Sequence, residues 1–184
     1  MTRIIVRAVP ERVDCIAYLR RHLPSAEWVF DERRDAWDTF MRALDLAGQD
    51  PCIHLEEDIL LTQGFLSKIE AFIEETPHRV LQFFSMRKAD LTLGTRFDRN
   101  YLMNQCFYLP LSYSRQIREY ADQWPRRAEH PTGTDTMIND FLRSRREPYR
   151  LHVPSLVQHR EVKSAINPRR SSKRQSLTFR DPMP

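Results

Sequence analysis

Three consecutive carboxylates, Glu56, Glu57 and Asp58, stand between an apolar lead of Cys52, Ile53 and Leu55 and an apolar continuation of Ile59, Leu60 and Leu61. An apolar run that stops in this way predicts a short buried strand whose end turns acids toward solvent. Acids packed side by side repel one another unless a cation stands among them. Carboxylate oxygens are the ligands magnesium and manganese prefer, and magnesium is commonly held by one or two carboxylates together with substrate phosphates. Alternation along an extended chain sets Glu56 and Asp58 on one side and Glu57 on the other. The competing reading is an acidic turn in which Asp58 caps the next helix.

Two further residues have chemistry to offer. His159 closes an apolar run from Arg150 to Val157 and can bring an imidazole to the same metal, although a lone histidine is also a common structural residue. Asp135 follows Thr132-Gly133-Thr134 and opens a helix marked by Met137, Ile138, Phe141 and Leu142. There it is either a capping acid, in loose capping-box spacing with Thr132, or a base exposed beside an acceptor.

The elements that must position these groups alternate in type. Strands are expected at Arg3 to Val9, Glu27 to Phe30, Pro51 to Leu55 and Val80 to Phe84. Helical stripes lie between them at Val13 to Tyr18, Trp37 to Leu44 and Phe65 to Ile73. That order predicts a single α/β domain, a mainly parallel central sheet with helices on both faces. Ligands of such sheets bind beyond the carboxyl ends of the strands, which nominates Arg7, Asp31, Arg33, Arg34 and the acidic cluster. The arginines suit phosphates, and Asp31 suits the hydroxyls of a ribose or the edge of a base. Further along, Ser85 to Arg99 reads as a loop, Tyr101 to Leu109 as a strand, Ser112 to Trp124 as a helix and Arg150 to Val157 as a last strand.

Composition narrows the class. The chain of 184 residues is long enough for one domain with a substantial core. No apolar run reaches membrane-spanning length. Met1-Thr2-Arg3 leads directly into Ile4-Ile5-Val6, so no secretory leader is expected and the protein is placed in a cytoplasm. Three dispersed cysteines, Cys15, Cys52 and Cys106, argue against a disulfide framework or zinc knuckle. With four glycines in all, the chain has neither a phosphate-cradling glycine loop nor a dinucleotide fingerprint. A phosphorylated ligand must therefore be held by side chains and a metal. Residues 143–184 carry 11 Lys/Arg against three Asp/Glu, whereas the first 142 residues carry 18 against 22. A basic segment on an acidic body suits a polyanionic partner, and equally suits a solvated terminus.

Leu55-Glu56-Glu57-Asp58 at the end of a buried strand resembles the Asp-X-Asp-type motif of GT-A fold glycosyltransferases, which often reads Leu-Glu-Asp-Asp. The ending Pro154-Ser155-Leu156-Val157-Gln158-His159, with Ser164 and Arg169-Arg170-Ser171-Ser172, resembles the close of small bacteriophage glycosyltransferases. The resemblance runs through nearly the whole chain. It implies a GT-A-like catalytic domain over residues 1–160, with a donor-nucleotide half (1–84) and an acceptor half (85–160), followed by a basic tail (161–184). It also implies a divalent ion, manganese or magnesium, and a nucleotide sugar such as a UDP-sugar. Asp58 would be the principal metal ligand and His159 the second, or a diphosphate contact. Glu56 would assist through the metal or the ribose. Asp31 would meet the uridine end of the donor, Arg7 and Arg33 its phosphates, and Lys163 or Arg160 the departing diphosphate. Asp135 would be the base. The departure is Glu-Glu-Asp where the family usually has aspartate at the first or middle position.

The basic tail and the phage-like ending point to DNA bearing 5-hydroxymethylcytosine as the acceptor, in the host cytoplasm if the chain is phage-encoded, with the enzyme a monomer or small homo-oligomer. A polysaccharide acceptor, a non-catalytic nucleic-acid-binding protein and a metal-dependent nuclease are the competing readings. The last lacks a second acidic cluster for paired metals.

Overall fold

Short, continuously buried strands build the sheet of the computed structural model, which describes residues 2–125, 133–162 and 174–184. In β1 (Arg3–Ala8) Ile4 and Val6 face one side and Ile5 the other. In β3 (Cys52–Glu56) Ile53 and Leu55 face the first side, Cys52 and His54 the second. In β7 (Cys106–Leu109) Cys106 and Tyr108 face the first, Phe107 and Leu109 the second. Both faces are apolar, so both must be covered. On the first lie α1 (Val13–His22) and α3 (Phe65–Glu75), which contribute Leu19, Phe65, Ile69, Phe72 and Ile73. On the second lie α2 (Ala36–Ala47), α5 (Tyr113–Ala121) and α6 (Thr134–Ser144), with Phe40, Leu44, Ile117, Met137, Ile138 and Phe141.

The remaining strands are β2 (Glu27–Phe30), β4 (Ile59–Leu61), β5 (Leu81–Gln82), β6 (Arg96–Asp98), β8 (Tyr149–Leu151) and β9 (Val157–His159), and α4 (Asp90–Leu93) is a single turn. The seven-stranded sheet has the order β2-β1-β3-β7-β5-β8-β6, with β4 and β9 forming a separate antiparallel pair. Strands β1, β2, β3, β5 and β8 point one way; β7 and β6 run against them. The expected class, an α/β domain with a mainly parallel sheet between two helical layers, is what the chain forms. From β1 the chain moves outward to β2 and returns on the other side to β3. The connection therefore reverses between β1 and β3, where α/β sheets open a crevice at their carboxyl ends.

Several expected boundaries differ. The segment read as a loop from Ser85 to Arg99 contains α4 and the edge strand β6. It is held by ionic contacts around the buried Asp90, in which Arg96 bonds Asp90 at 2.7 Å and Arg87 bonds the half-buried Asp98 at 2.8 Å. Its charged residues face one another, and so hide the element from a hydrophobic-pattern reading. The strand expected from Tyr101 begins only at Cys106, and the strand expected from Arg150 to Val157 is two strands, β8 and β9. No helix among the described residues is long and apolar enough to cross a membrane.

His54 lies at the centre of the sheet, fully buried, stacked on Phe107 with ring centroids 5.0 Å apart, and neither ring nitrogen has a hydrogen-bond partner. Burial, with Arg7 nearby, pushes its pKa down from 6.5 to about 3. The unfolded chain takes up this proton near pH 6.5 and the folded chain resists it to about pH 3. The His54 contribution is therefore complete above pH 6.5 and is lost as the pH falls toward 3, reaching about 3 kcal/mol by pH 4. Replacing His54→Leu is expected to remove that loss. Chemical denaturation from pH 7 to 4 should show the wild type weakening relative to the variant; a constant difference would refute the assignment.

Candidate functional site

The β1–β3 pairing sets Arg7 opposite Glu56, and Glu57 N–H continues the ladder to the Arg7 carbonyl at 3.1 Å. There the chain bends out of the sheet toward β4. The expected alternation of the three acids does not survive the bend: Glu57 and Asp58 turn together toward α1, and Glu56 stands alone on the α2–α6 side. Nη1 of Arg12, at the start of α1, reaches Glu57 Oε1 at 2.8 Å and Asp58 Oδ2 at 2.5 Å. All three side chains are largely withdrawn from water. One shared guanidinium is what allows two adjacent carboxyl groups to be buried side by side.

On the other side, Arg7 Nη2 lies 3.8 Å from Glu56 Oε1 and donates to the Asn104 carbonyl at 2.6 Å, with its guanidinium 5.0 Å from the centre of the Phe40 ring. Asn104 Nδ2 donates to Thr134 Oγ1 at 2.9 Å. Arg7 and Asn104 thus form a strut from the end of β3 to the first residue of α6, immediately before Asp135.

The β4–β9 pair places Ile59 opposite His159 and so carries the imidazole to Asp58, where Nε2 lies 3.1 Å from Oδ2. Both groups are buried. Nη2 of Arg174 stands 2.5 Å from the same Nε2. Asp58 Oδ1 and His159 Nδ1 have no hydrogen-bond partner among the described residues. Burial works to raise the Asp58 pKa, but His159, Arg12 and Arg174 outweigh it and hold the carboxyl below its usual range. Glu57 goes the other way: burial, then the neighbouring Asp58 charge, push it up to about 7. The acids are therefore unequal. Asp58 keeps its charge, Glu57 shares a proton near neutrality, and Glu56 is the most open to water.

These donors suit a hard divalent ion held partly by substrate. Among the described residues no group of three or more His, Cys, Asp or Glu converges as a self-sufficient metal cage. Asp58 Oδ2 and His159 Nε2, which can both ligate a metal when Nε2 carries no proton, lie 3.1 Å apart, with cationic groups already drawn to them. Two protein ligands leave positions for phosphate oxygens, as magnesium-type sites commonly do.

The other expected residues are placed unevenly. Asp31, beyond β2, is buried, and its Oδ1 accepts from the Asp35 amide at 2.9 Å. Asp35 in turn caps α2 by accepting from the amides of Trp37 and Asp38. Asp31 thus shapes the loop, and its buried position limits how it can meet a ligand. Arg33 is exposed on the same loop. Asp135 lies in the first turn of α6, half-buried, its Oδ1 bonded to the Thr136 amide at 2.9 Å; α6 begins at Gly133 with no side-chain cap. Lys163, Ser164 and Arg169 to Lys173 lie outside the described residues, as does Thr132 of the expected capping box. Arg12, Asn104 and Arg174 were not singled out from sequence. Arg12 had a usable signal, since it follows β1 across Pro10 and so lies beyond a strand's carboxyl end. Arg174 had none, because its place depends on a chain reversal.

No family model matches the chain, and no curated protein matches it. A solved structure with a related chain course is the "Putative Glucose-1-Phosphate Thymidylyltransferase from Bacillus anthracis in Complex with a Sucrose". It is 11% identical, with a TM-score of 0.49, covering 84% of this chain and 69% of that one. The reading of the site rests on its own geometry.

Removing Arg12 should expose what it offsets. Arg12→Ala leaves Glu57 and Asp58 buried without their shared cation and is expected to destabilise the fold by about 3–5 kcal/mol. Glu57→Gln introduced into that background should recover part of the loss, measured by urea denaturation in a double-mutant cycle. Strict additivity would show that the three groups do not act as a unit.

Proposed function

We propose that the protein is a metal-dependent glycosyltransferase that moves a sugar from a nucleotide sugar, of the UDP-sugar class, to a hydroxyl acceptor. The observation that carries this reading is the meeting of Asp58 and His159 at one buried point beside the β1–β3 crevice, with guanidinium groups gathered on it. Asp58 and His159 would hold the divalent ion, manganese or magnesium, and the ion when bound supplies positive charge to a diphosphate. Glu56 and Arg7, on the other side of this end of the sheet, would meet the ribose or the phosphates. Asp31, on the loop after β2, would meet the nucleoside end, and Arg33 and Lys163 the diphosphate.

Breaking the bond between the sugar's anomeric carbon and the diphosphate oxygen leaves the electron pair on that oxygen. Fixed cationic side chains are of most use there, because negative charge grows as the bond lengthens. The acceptor oxygen forms the new bond and loses its proton to a carboxylate, and Asp135 has that role. The Arg7–Asn104–Thr134 strut supports this assignment, since it ties the start of α6 to the end of β3. The acceptor is DNA carrying 5-hydroxymethylcytosine. Its hydroxymethyl group projects into the major groove, and the Lys/Arg excess of residues 143–184 suits a polyanion. Residues 1–84 form the donor half and 85–160 the acceptor half.

The test is a nucleoside mass-shift assay with manganese, a panel of sugar nucleotides, and DNA containing 5-hydroxymethylcytosine or plain cytosine. A sugar-sized gain on the hydroxymethylated base alone is expected, lost on chelation and in Asp58→Asn. Asp135→Asn should lower turnover by about 10²–10⁴-fold while donor binding is retained. Turnover near wild type in Asp135→Asn would exclude it as the base. Metal-dependent hydrolysis of a donor without transfer to either DNA would replace the acceptor. Salt-sensitive DNA binding with neither transfer nor hydrolysis would replace the enzyme by a binding protein.

A further inference from the structure

The final described segment returns to the site. Ser176 exchanges hydrogen bonds with the Gln158 side-chain amide, Ser176 N–H to Oε1 at 2.7 Å and Nε2 to the Ser176 carbonyl at 3.2 Å. Ser176 and Thr178 close a buried hydroxyl cluster on Ser155, with Ser176 Oγ to Ser155 Oγ at 2.8 Å and the Ser155 amide to Thr178 Oγ1 at 3.1 Å. Farther on, Met183 N–H donates to the Leu61 carbonyl at 2.7 Å and Thr62 Oγ1 to the Arg180 carbonyl at 3.0 Å. The chain is thus anchored two residues beyond Arg174, whose side chain reaches from that anchor to His159.

At His159 the contacts are mutually incompatible. As an N–H, Nε2 can donate to Asp58 Oδ2 at 3.1 Å, but it then meets an Arg174 donor at 2.5 Å. As a lone pair, it can accept from Arg174, but it then faces the Asp58 oxygen, another acceptor. One nitrogen cannot serve both. With Nε2 unprotonated, a cation held jointly by Oδ2 and Nε2 serves both atoms and replaces the Arg174 donor at Nε2. Among the described residues Asp58 Oδ1 and His159 Nδ1 have no hydrogen-bond partner, so neither buried side chain has all its polar atoms engaged.

We propose that Arg174 is a built-in counter-cation of the Asp58–His159 pair: its guanidinium stands in for the divalent ion until that ion binds, and the two compete for His159 Nε2. The inference rests on the metal reading given above and adds to it a residue that sets metal affinity. Ion binding turns the Arg174 side chain away while the Ser155–Ser176–Thr178 anchor stays closed. The freed guanidinium then lies within a side chain's reach of the phosphates the ion would hold. Competition for one site must be reciprocal, so removing the arginine strengthens ion binding by as much as the arginine opposed it.

The test uses the full-length protein and manganese alone, with free Mn²⁺ read by its electron paramagnetic resonance signal. Arg174→Gln is expected to bind Mn²⁺ roughly tenfold more tightly than wild type, within the usual range of coupled sites. Arg180→Gln removes an equal charge from an exposed position of the same segment and should match wild type. Saturable binding in Arg174→Gln where wild type shows none supports the inference more strongly. Equal affinity in wild type and Arg174→Gln, or an equal gain in Arg180→Gln, overturns it and leaves the metal site standing. Absence of Mn²⁺ binding in every variant, or undiminished binding in Asp58→Asn, overturns the metal reading and this inference together.

Discussion

Two adjacent carboxyl groups, buried at the end of a central strand, are tolerable only if cationic groups are brought to them. That requirement explains more of this chain than any single element does. An isolated buried charge costs several kcal/mol or more, and the cost is offset only by close, well-placed partners. Arg12 comes from the residue that precedes α1, His159 from the second half of the chain through the β4–β9 pair, and Arg174 from the C-terminal segment. That segment goes on to α1, with Tyr18 Oη donating to the Met183 carbonyl and Met183 packed against the α1–α3 core.

The sheet supplies the geometry that makes this neutralisation useful. Where the chain reverses between β1 and β3, Arg7 and Glu56 stand on one face of the sheet's end and the Arg12–Glu57–Asp58 group on the other. The antiparallel β7 beside β3 lets the loop before it, at Asn104, reach back to this end of the sheet. Its carbonyl and its amide are both used, one by Arg7 and one by Thr134. The first turn of α6 is therefore tied to the end of the sheet that carries the acids, through the Glu56–Arg7 ion pair and the hydrogen bonds from Arg7 to Asn104 and from Asn104 to Thr134.

The layered sheet was legible because it is written in local patterns. Short apolar runs in β1, β3 and β7 and helical stripes in α2 and α3 are properties of neighbouring residues. The acidic cluster stood out for the same reason. Its internal arrangement did not, because strand alternation stops where the ladder stops, and only the fold decides that Glu57 and Asp58 turn toward Arg12. The edge strand β6 was hidden since its polar residues are satisfied by Arg87 and Asp90, a pairing with no hydrophobic signature. Arg174 could not be found by spacing, as its meeting with His159 requires the chain to turn back and anchor at Ser155.

The charge balance of the cluster bears on how a metal would enter it. Arg12 and Arg174 contribute two positive charges, Asp58 one negative, and Glu57, with its pKa near 7, only part of another. The free cluster is already neutral to positive. A divalent ion entering alone turns Arg174 away but still meets Arg12, and at low local dielectric that remaining repulsion weakens its binding without abolishing it. An ion arriving with a diphosphate brings two or more negative charges and reverses the balance. On the proposed reading, metal and donor then favour each other's binding for an electrostatic reason intrinsic to this chain. On the same reading, positive charge arriving beside Glu57 favours its ionised form and opposes the upward push of burial.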